Sequence, residues 1–199
     1  PYRRQRQMCI RDSYNIVDQF FIGRSVGALG NAATNISFPL SISCVAIALL
    51  FGIGGASAFN IAMGMGEKEN AVNYLANSAA MLFLGGVALT AVTLIFLEPL
   101  LKFFGSPDNG LEYAKVYTRI VALGFPFLIF TSGGGHLIRA DGRPKISMVC
   151  NLAGALINTV LDALFVFVLN MGMAGAAYAT IIGQIVSGLM AAWYLAHCR

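Results

Sequence analysis

Two acidic residues lie inside apolar stretches of this sequence, where a charge is costly. Asp18 lies in YNIVDQFFIG at 14–23, and Asp162 lies in ALINTVLDALFVFVL at 155–169. An ionised carboxylate at the centre of a bilayer costs about 2.5–3.5 kcal/mol even on lenient insertion scales, so such residues usually have a function. A buried acid that stays neutral is the alternative. We therefore take Asp18 and Asp162 as the first candidates for chemistry.

Polar side chains accompany both acids at helical spacing. Asn158 and Asp162 are four residues apart, so they project from one face of a helix, one turn apart. Two further polar faces are formed by Asn15, Asp18 and Gln19 and by Thr180, Gln184 and Ser187. Lipid does not tolerate such faces, so the three helices are expected to share an interior. For Asn158, Thr180 or Gln184 taken alone, a hydrogen bond between helices is a sufficient explanation.

Two kinds of chemistry fit paired acids inside a membrane. Desolvation favours the protonated form of a carboxyl group, so an intramembrane acid can take a proton from one side and release it to the other. Alternatively, two carboxylates with an amide oxygen and a hydroxyl oxygen form a hard-oxygen site suited to a small cation such as sodium. The residues themselves do not choose between a proton and sodium.

Composition places these acids in a membrane protein. Of the 199 residues, 57% are hydrophobic and only 11% are charged, whereas an ordinary soluble domain has about a quarter of its residues charged. The 22 glycines agree, because glycine lets transmembrane helices approach closely. Residues 1–13 supply three of the four net positive charges, so no nucleic-acid surface is expected in the rest. The four cysteines lack metal-ligand spacing and indicate neither a metal site nor a disulfide framework.

Hydropathy predicts an all-α membrane protein with five complete transmembrane helices and a truncated first helix. The first apolar segment, 14–22, is too short to cross about 30 Å at 1.5 Å per residue. The complete spans are expected at about 32–65, 74–96, 112–135, 146–169 and 174–196. They leave no room for a soluble domain. The opening PYRRQRQMCIRDS at 1–13 resembles a translated sequencing adapter and is interpreted as a non-native leader, with a native basic tail as the alternative.

Helix-weakening residues occur within the predicted spans. The candidates for bending points are Pro39, Gly54, Gly55, Pro126 and Gly134. They would allow one bundle to rock against another around a central site. Close packing with tolerated kinks is the alternative. We expect the fourth span to loosen at SGGG, 132–135, and the charged residues 67–69 to form a loop.

Loop charges predict an orientation. If the beginning of the chain is cytoplasmic, five basic residues lie on the cytoplasmic side, namely Lys68, Arg139, Arg143, Lys145 and Arg199. The opposite side carries Arg24, Lys102, Lys115 and Arg119. The tight turn at 139–145, with three positive charges, favours this choice.

The complete pattern resembles the multidrug and toxic compound extrusion (MATE) family, particularly its DinF-like bacterial and archaeal branch. The segments that carry the resemblance are YNIVDQFFIGR at 14–24, GIGGASAFNIAMGMGEKENA at 52–71, LIRADGRPKISM at 137–148, INTVLDALFVF at 157–167 and GAAYATIIGQ at 175–184. Each segment alone is a weak signal, but the combination is specific and covers nearly all of 14–199.

The resemblance implies the amino-terminal six-helix lobe of a twelve-helix transporter in the plasma membrane of a prokaryote, with no enzymatic activity. It implies export of cationic or amphipathic small molecules in exchange for protons or sodium by alternating access, with no other cofactor. The family's ion-coupling positions fall on Asp18, Asn158, Asp162 and Thr180, which are then the candidate sodium ligands. The carboxy-terminal lobe is absent from this sequence and is expected to be required for transport.

Two other functions are compatible with some of these features. A lipid-oligosaccharide flippase of the same superfamily would share the architecture, but it would line its cavity with more cationic side chains. An intramembrane aspartyl protease would also pair two acids. That family would resemble Gly-x-Gly-Asp before one acid, whereas Thr159, Val160 and Leu161 precede Asp162 here.

Overall fold

The computed structural model describes residues 28–105 and 108–197, and it describes the side chains from residue 34 onward except at 108–110. Within these ranges the ordered elements are helices, which confirms the predicted all-α class. In chain order they are α1 (Ala28–Gly64), α2 (Lys68–Ile95), α3 (Leu97–Phe103), α4 (Asp108–Ala122), α5 (Phe125–Ala140), α6 (Pro144–Asp162), a π-helical segment (Ala163–Val168) and α7 (Gly172–Ala196).

Four helical stretches of the described chain are long and apolar enough to cross a membrane. They are Thr34–Gly64, Lys68–Ile95, Pro144–Val168 and Gly172–Ala196. A fifth span is formed if Leu111–Ala122 and Phe125–Ala140, which meet at a bend of 54°, cross together. These stretches agree with the five complete spans expected from hydropathy. The segment 14–22, predicted to be a truncated span, lies outside the described residues.

Three local expectations differ from the structure. Helix α2 begins at Lys68, so Lys68 and Glu69 lie in its first turn and only the short turn before them is a loop. Helix α5 is continuous through residues 132–135 and does not loosen there. The fifth span is not α-helical to its end, because residues 163–168 are π-helical.

Close packing of α1, α2 and α5 explains why α5 stays helical through its glycines. A Cβ added at Gly52 of α1 would lie 2.7 Å from the Cα of Gly133, so the two backbones are in direct contact. A Cβ added at Gly133 would also collide with the Leu82 side chain of α2. The contacts that glycine permits between helices outweigh its low helix propensity here. Phe125 and Ile129 of α5 are almost fully buried at the centre of the bundle.

The bend between α4 and α5 has a local chemical cause. In a continuous helix the carbonyl of Ala122 would accept a hydrogen bond from residue 126, but Pro126 has no N–H. The hydroxyl of Thr90 on α2 lies 2.8 Å from the Ala122 carbonyl oxygen and 3.0 Å from the Gly86 carbonyl oxygen. Gly86 of α2 lies close to Pro126, and a Cβ added at Gly86 would collide with the Pro126 backbone. Helix α2 therefore supports the bend from outside.

Ion pairs stabilise the end of the molecule that carries α3. Glu98 lies 2.9 Å from Lys102 and 3.2 Å from Lys115, which ties α3 to α4. The hydrogen bond from Lys102, followed by that from Lys115, holds the pKa of the exposed Glu98 carboxyl below its usual value. Glu98 and Lys102 are exposed and lie outside the membrane-spanning stretches, whereas Lys115 lies near the start of Leu111–Ala122.

Candidate functional site

Asp162 is the last residue of α6, and its side chain is fully buried. The helix does not end there, because the chain continues as the π-helical segment Ala163–Val168. The wider turn is visible where the Leu169 N–H bonds to the Leu164 carbonyl, five residues back, at 3.0 Å. Short π-helical segments within α-helices occur frequently at functional sites. The acid thus lies at a change of helical pitch inside a membrane-spanning stretch.

One turn before Asp162, the side chain of Asn158 links α6 to α7. Its amide nitrogen donates to the hydroxyl oxygen of Thr180 at 3.4 Å. The Thr180 hydroxyl in turn donates to the Ala176 carbonyl oxygen at 2.9 Å. Asn158 is buried and Thr180 is half-buried, so the bond lies between the two helices. The structure therefore brings together Asn158 and Thr180, two of the residues that spacing placed in a shared interior.

Small residues bring α6 and α7 close enough for this bond. A Cβ added at Gly154 would lie 2.9 Å from the Gly183 carbonyl oxygen, and one added at Gly183 would lie 2.8 Å from the Gly154 carbonyl oxygen. The Ser187 hydroxyl donates to the Cys150 carbonyl oxygen across the same interface at 2.9 Å. Helices that pack on small residues can form such side-chain hydrogen bonds to one another. Glycine at 154 and 183 thus positions Asn158 against α7.

The other residues of the predicted polar face on α7 have different surroundings. Ser187 is buried in the α6–α7 interface through its bond to Cys150. The carboxamide oxygen of Gln184 is buried, and within the described ranges it has no hydrogen-bond partner. It points to the bend between α4 and α5, where a Cβ added at Gly124 would collide with it. A cavity-lining role for Gln184 and Ser187 stays a prediction.

The polar face predicted for the first helix lies outside the described residues. This face consists of Asn15, Asp18 and Gln19. The proximity of Asp18 to Asp162 therefore stays a prediction.

The described residues offer oxygen ligands of the kind that sodium prefers. Asp162 provides a carboxylate, Asn158 a side-chain carbonyl, and Thr180 a hydroxyl oxygen with a second lone pair. Hard cations are bound by such oxygens, whereas a proton needs only the carboxylate. No group of three His, Cys, Asp or Glu side chains suited to a metal occurs in the described part of the chain. Both coupling ions remain compatible with this chemistry.

The residues proposed as bending points have different environments. Pro126 is the second residue of α5, next to the 54° bend. Pro39 lies inside α1, which continues through it. A Cβ added at Gly55 would collide with Ser78, whereas one added at Gly54 would meet nothing within 4 Å. Gly134 is buried in α5. Their movement during a transport cycle stays a prediction.

Sequence reasoning missed a face of α1. Gly54, Ser57, Asn60 and Gly64 follow one another at spacings of three or four and are exposed on the described surface. Residues at these spacings share one side of a helix. Lipid does not satisfy an amide such as that of Asn60, so this side is expected to face protein or water. The repeated small and polar residues of 52–64 could have indicated this face from the sequence.

Sequence reasoning also missed Thr90, because only the fold brings it to Ala122.

The fold and the buried polar cluster define a multi-pass helical membrane protein with a polar interior. The family model MatE matches residues 6–164. The chain belongs to this family, the multidrug and toxic compound extrusion transporters, and is a multi-pass plasma-membrane protein. The match includes residues 6–13, which fall within the predicted leader, and the boundary at residue 13 stays a prediction.

Relatives and solved structures agree with this assignment. The chain is 28% identical over 178 residues to the multidrug export protein MepA of Staphylococcus haemolyticus, covering 88% of the chain and 39% of MepA. It is 26% identical over 178 residues to the FAD transporter of Shewanella oneidensis, covering 87% of the chain and 39% of that protein. A crystal structure of MATE in the bent conformation superposes with a TM-score of 0.87 at 29% identity, covering 94% of the chain and 42% of that structure. The chain thus spans about two fifths of these relatives, as one lobe would.

Proposed function

We propose that the chain forms the amino-terminal lobe of a secondary active multidrug efflux transporter. The proposed activity is export of cationic or amphipathic small molecules in exchange for protons or sodium, by alternating access. The observation that carries the proposal is the full burial of Asp162 in a membrane-spanning stretch, one turn from the Asn158–Thr180 hydrogen bond. Intramembrane acids of this kind mark ion pathways.

In the proposed mechanism Asp162 binds the coupling ion. A proton on the carboxyl group, or sodium beside it, removes a charge that is costly inside the membrane. The conformation in which Asp162 is buried is then favoured, whereas a conformation that exposes it to water favours the ionised form. An ion can shift a conformational equilibrium only through such a difference in affinity between two states. Asn158 and Thr180 hold α6 against α7, so a change at Asp162 is transmitted to both helices.

Asp18 is proposed as the second acid of the coupling site. This role rests on its position in the family pattern and on its own polar face, because it lies outside the described residues. Two acids that share one site would offer one coupling ion two carboxylates. Substitution of either acid is therefore expected to impair coupling.

The proposed cargo is cationic, because acids in an interior attract cations. The names of the relatives leave a second candidate, since one of them is a FAD transporter and FAD is anionic. Efflux assays with a cationic dye and with FAD, in the same cells, would separate the two. We expect movement of the dye and none of FAD, and the reverse result would contradict the cationic cargo.

The proposal is tested by expressing the full-length gene in cells that lack their major exporters. Asp162→Asn and Asp18→Asn are expected to abolish resistance to cationic dyes at unchanged expression. Glu69→Gln is the matched control, because Glu69 is an exposed acid in the first turn of α2. If both variants protected cells as well as the parent, the ion-coupling assignment would be wrong. Dependence of efflux on sodium at fixed pH identifies the ion.

A further inference from the structure

An apolar groove of about 470 Å³ lies between the start of α6 and the end of α7. Its walls include Ile146 and Val149 from α6 and Leu189 and Met190 from α7. Val149 and Leu189 are each more than half exposed, so the groove opens on the outer surface of the described bundle. It extends for about 6–8 Å along the helices, at 1.5 Å per residue. A groove of this kind on a membrane-spanning surface would accommodate the upper part of a hydrocarbon chain.

The end of this groove is positively charged. Lys145 lines it, and a second cavity of about 340 Å³ next to it is lined by Arg143 and Lys145. Both side chains are exposed, and neither forms an ion pair with any described residue. The one acid in this turn, Asp141, accepts a hydrogen bond from the Tyr194 hydroxyl at 2.5 Å, and its single negative charge is outnumbered by Arg139, Arg143 and Lys145. The positive charge of Arg143 and Lys145 therefore lies at the mouth of the groove.

Helix α6 adds a second feature that favours an anion here. It begins at Pro144, with no acidic residue in its first turn and no side-chain cap from Arg143. Pro144 has no N–H, and the Ile146 N–H donates to the Arg143 carbonyl oxygen at 3.1 Å, so this end offers an anion the Lys145 N–H and the positive end of the helix dipole. The helix terminus and the two cations thus meet at one place, directly above the apolar walls.

An aromatic side chain marks the depth of the site. Trp193 lines the groove and is 67% exposed. Its ring lies against His197 with the centroids 5.0 Å apart. Exposed tryptophans of membrane proteins are enriched at the level of the lipid headgroups. The charged end of the groove therefore lies at headgroup level, and its apolar walls extend into the hydrocarbon region.

We propose that this groove binds one anionic phospholipid. An acyl chain lies between α6 and α7, and the phosphate lies at the side chains of Arg143 and Lys145, beside the start of α6. Only a ligand with an apolar tail and an anionic head matches both halves of the site, and the surrounding bilayer supplies such molecules. The predicted orientation places the site in the cytoplasmic leaflet, where anionic lipids attract basic segments.

Quenching of Trp193 fluorescence by brominated lipids tests the proposal. The full-length protein is placed in nanodiscs of phosphatidylcholine that contain brominated phosphatidylglycerol or brominated phosphatidylcholine over the same series of mole fractions. The Trp193 signal is isolated by difference from the Trp193→Phe variant. We expect the anionic lipid to quench at a mole fraction at least roughly fivefold lower, because each basic residue near the surface contributes that much. The double variant Arg143→Gln, Lys145→Gln should lose this preference and still be quenched by the brominated phosphatidylcholine.

Two further variants distinguish the contribution of the basic side chains to lipid preference from that of the apolar groove. Lys68→Gln removes an exposed charge from the first turn of α2, on the same side of the bundle, and should leave the preference unchanged. Val149→Phe fills the groove without altering charge and should weaken the preference. Equal quenching of the parent by both lipids would overturn the proposal, as would an unchanged preference in the double variant. Absence of quenching by either lipid would also overturn the proposal, because it would mean that protein and not lipid covers the groove.

Discussion

The side-chain nitrogen of Asn158 lies 3.4 Å from the hydroxyl oxygen of Thr180, one helical turn before the buried Asp162. This bond joins the two helices that carry the proposed coupling site. It exists because Gly154 and Gly183 let the helix backbones meet. Two contacts between α6 and α7 thus position the site: the close packing at Gly154 and Gly183, and the hydrogen bond between Asn158 and Thr180.

Thr180→Val should impair coupling more than it impairs folding. Valine has nearly the shape of threonine but cannot accept the bond from Asn158. Hydrogen bonds between membrane helices contribute about 0.6 kcal/mol on average, so the loss of thermal stability should be small. We expect a higher ion concentration for half-maximal dye transport in proteoliposomes. Thr180→Ser keeps the hydroxyl and should match the parent, so equal impairment in both variants would contradict the assignment.

Gly154→Ala should destabilise the protein, whereas Gly54→Ala should not. The new methyl group at 154 would lie 2.8 Å from the Ser187 Cβ and 2.9 Å from the Gly183 backbone, but at 54 it would meet nothing within 4 Å. Overpacking of this kind costs about 1–3 kcal/mol. Alanine at an exposed helical position gains up to about 1 kcal/mol over glycine. Thermal unfolding of the full-length protein in detergent measures both, and equal stability changes would contradict the packing.

Thr90→Val should lower the thermal stability of the protein, because Thr90 supports the bend between α4 and α5. The Ala122 carbonyl would lose its bond to the Thr90 hydroxyl, and an unsatisfied buried acceptor costs about 1–3 kcal/mol. Thr90→Ser should retain the bond and the stability. In the Thr90→Val background, Pro126→Ala should restore part of the loss, because the substituted residue has an N–H that could donate to the Ala122 carbonyl. Strictly additive effects of the two substitutions on thermal stability would contradict this account.

The sequence predicted an all-α membrane protein with several apolar spans, because each span is a long apolar run between charged or turn residues. It also placed Asn158 and Thr180 on faces that share an interior, because lipid does not tolerate polar faces, and the two side chains are hydrogen-bonded in the structure. Continuity of α5 through Gly133 was not predictable, since it depends on contacts with Gly52 and Leu82 from distant parts of the chain.

Two further features could be recognised only from the three-dimensional structure, because residue spacing does not indicate them. The π-helical turn after Asp162 depends on the hydrogen-bond register of the backbone, and nothing in the apolar run ALFVFV at 163–168 specifies it. The different surroundings of Gln184 and Ser187 depend on which helix lies opposite each of them. Sequence spacing placed both residues on one face but did not identify their neighbours.

Gradient-driven transport by Asp162→Asn in proteoliposomes tests the central claim most directly. The full-length parent, Asp162→Asn and the control Glu69→Gln are reconstituted with a cationic dye, and a proton or sodium gradient is imposed. Parent and control should move the dye faster when the gradient for the coupling ion is applied. Asp162→Asn should bind the dye but move it no faster with the gradient than without it. A gradient response of Asp162→Asn equal to that of the parent would contradict the account.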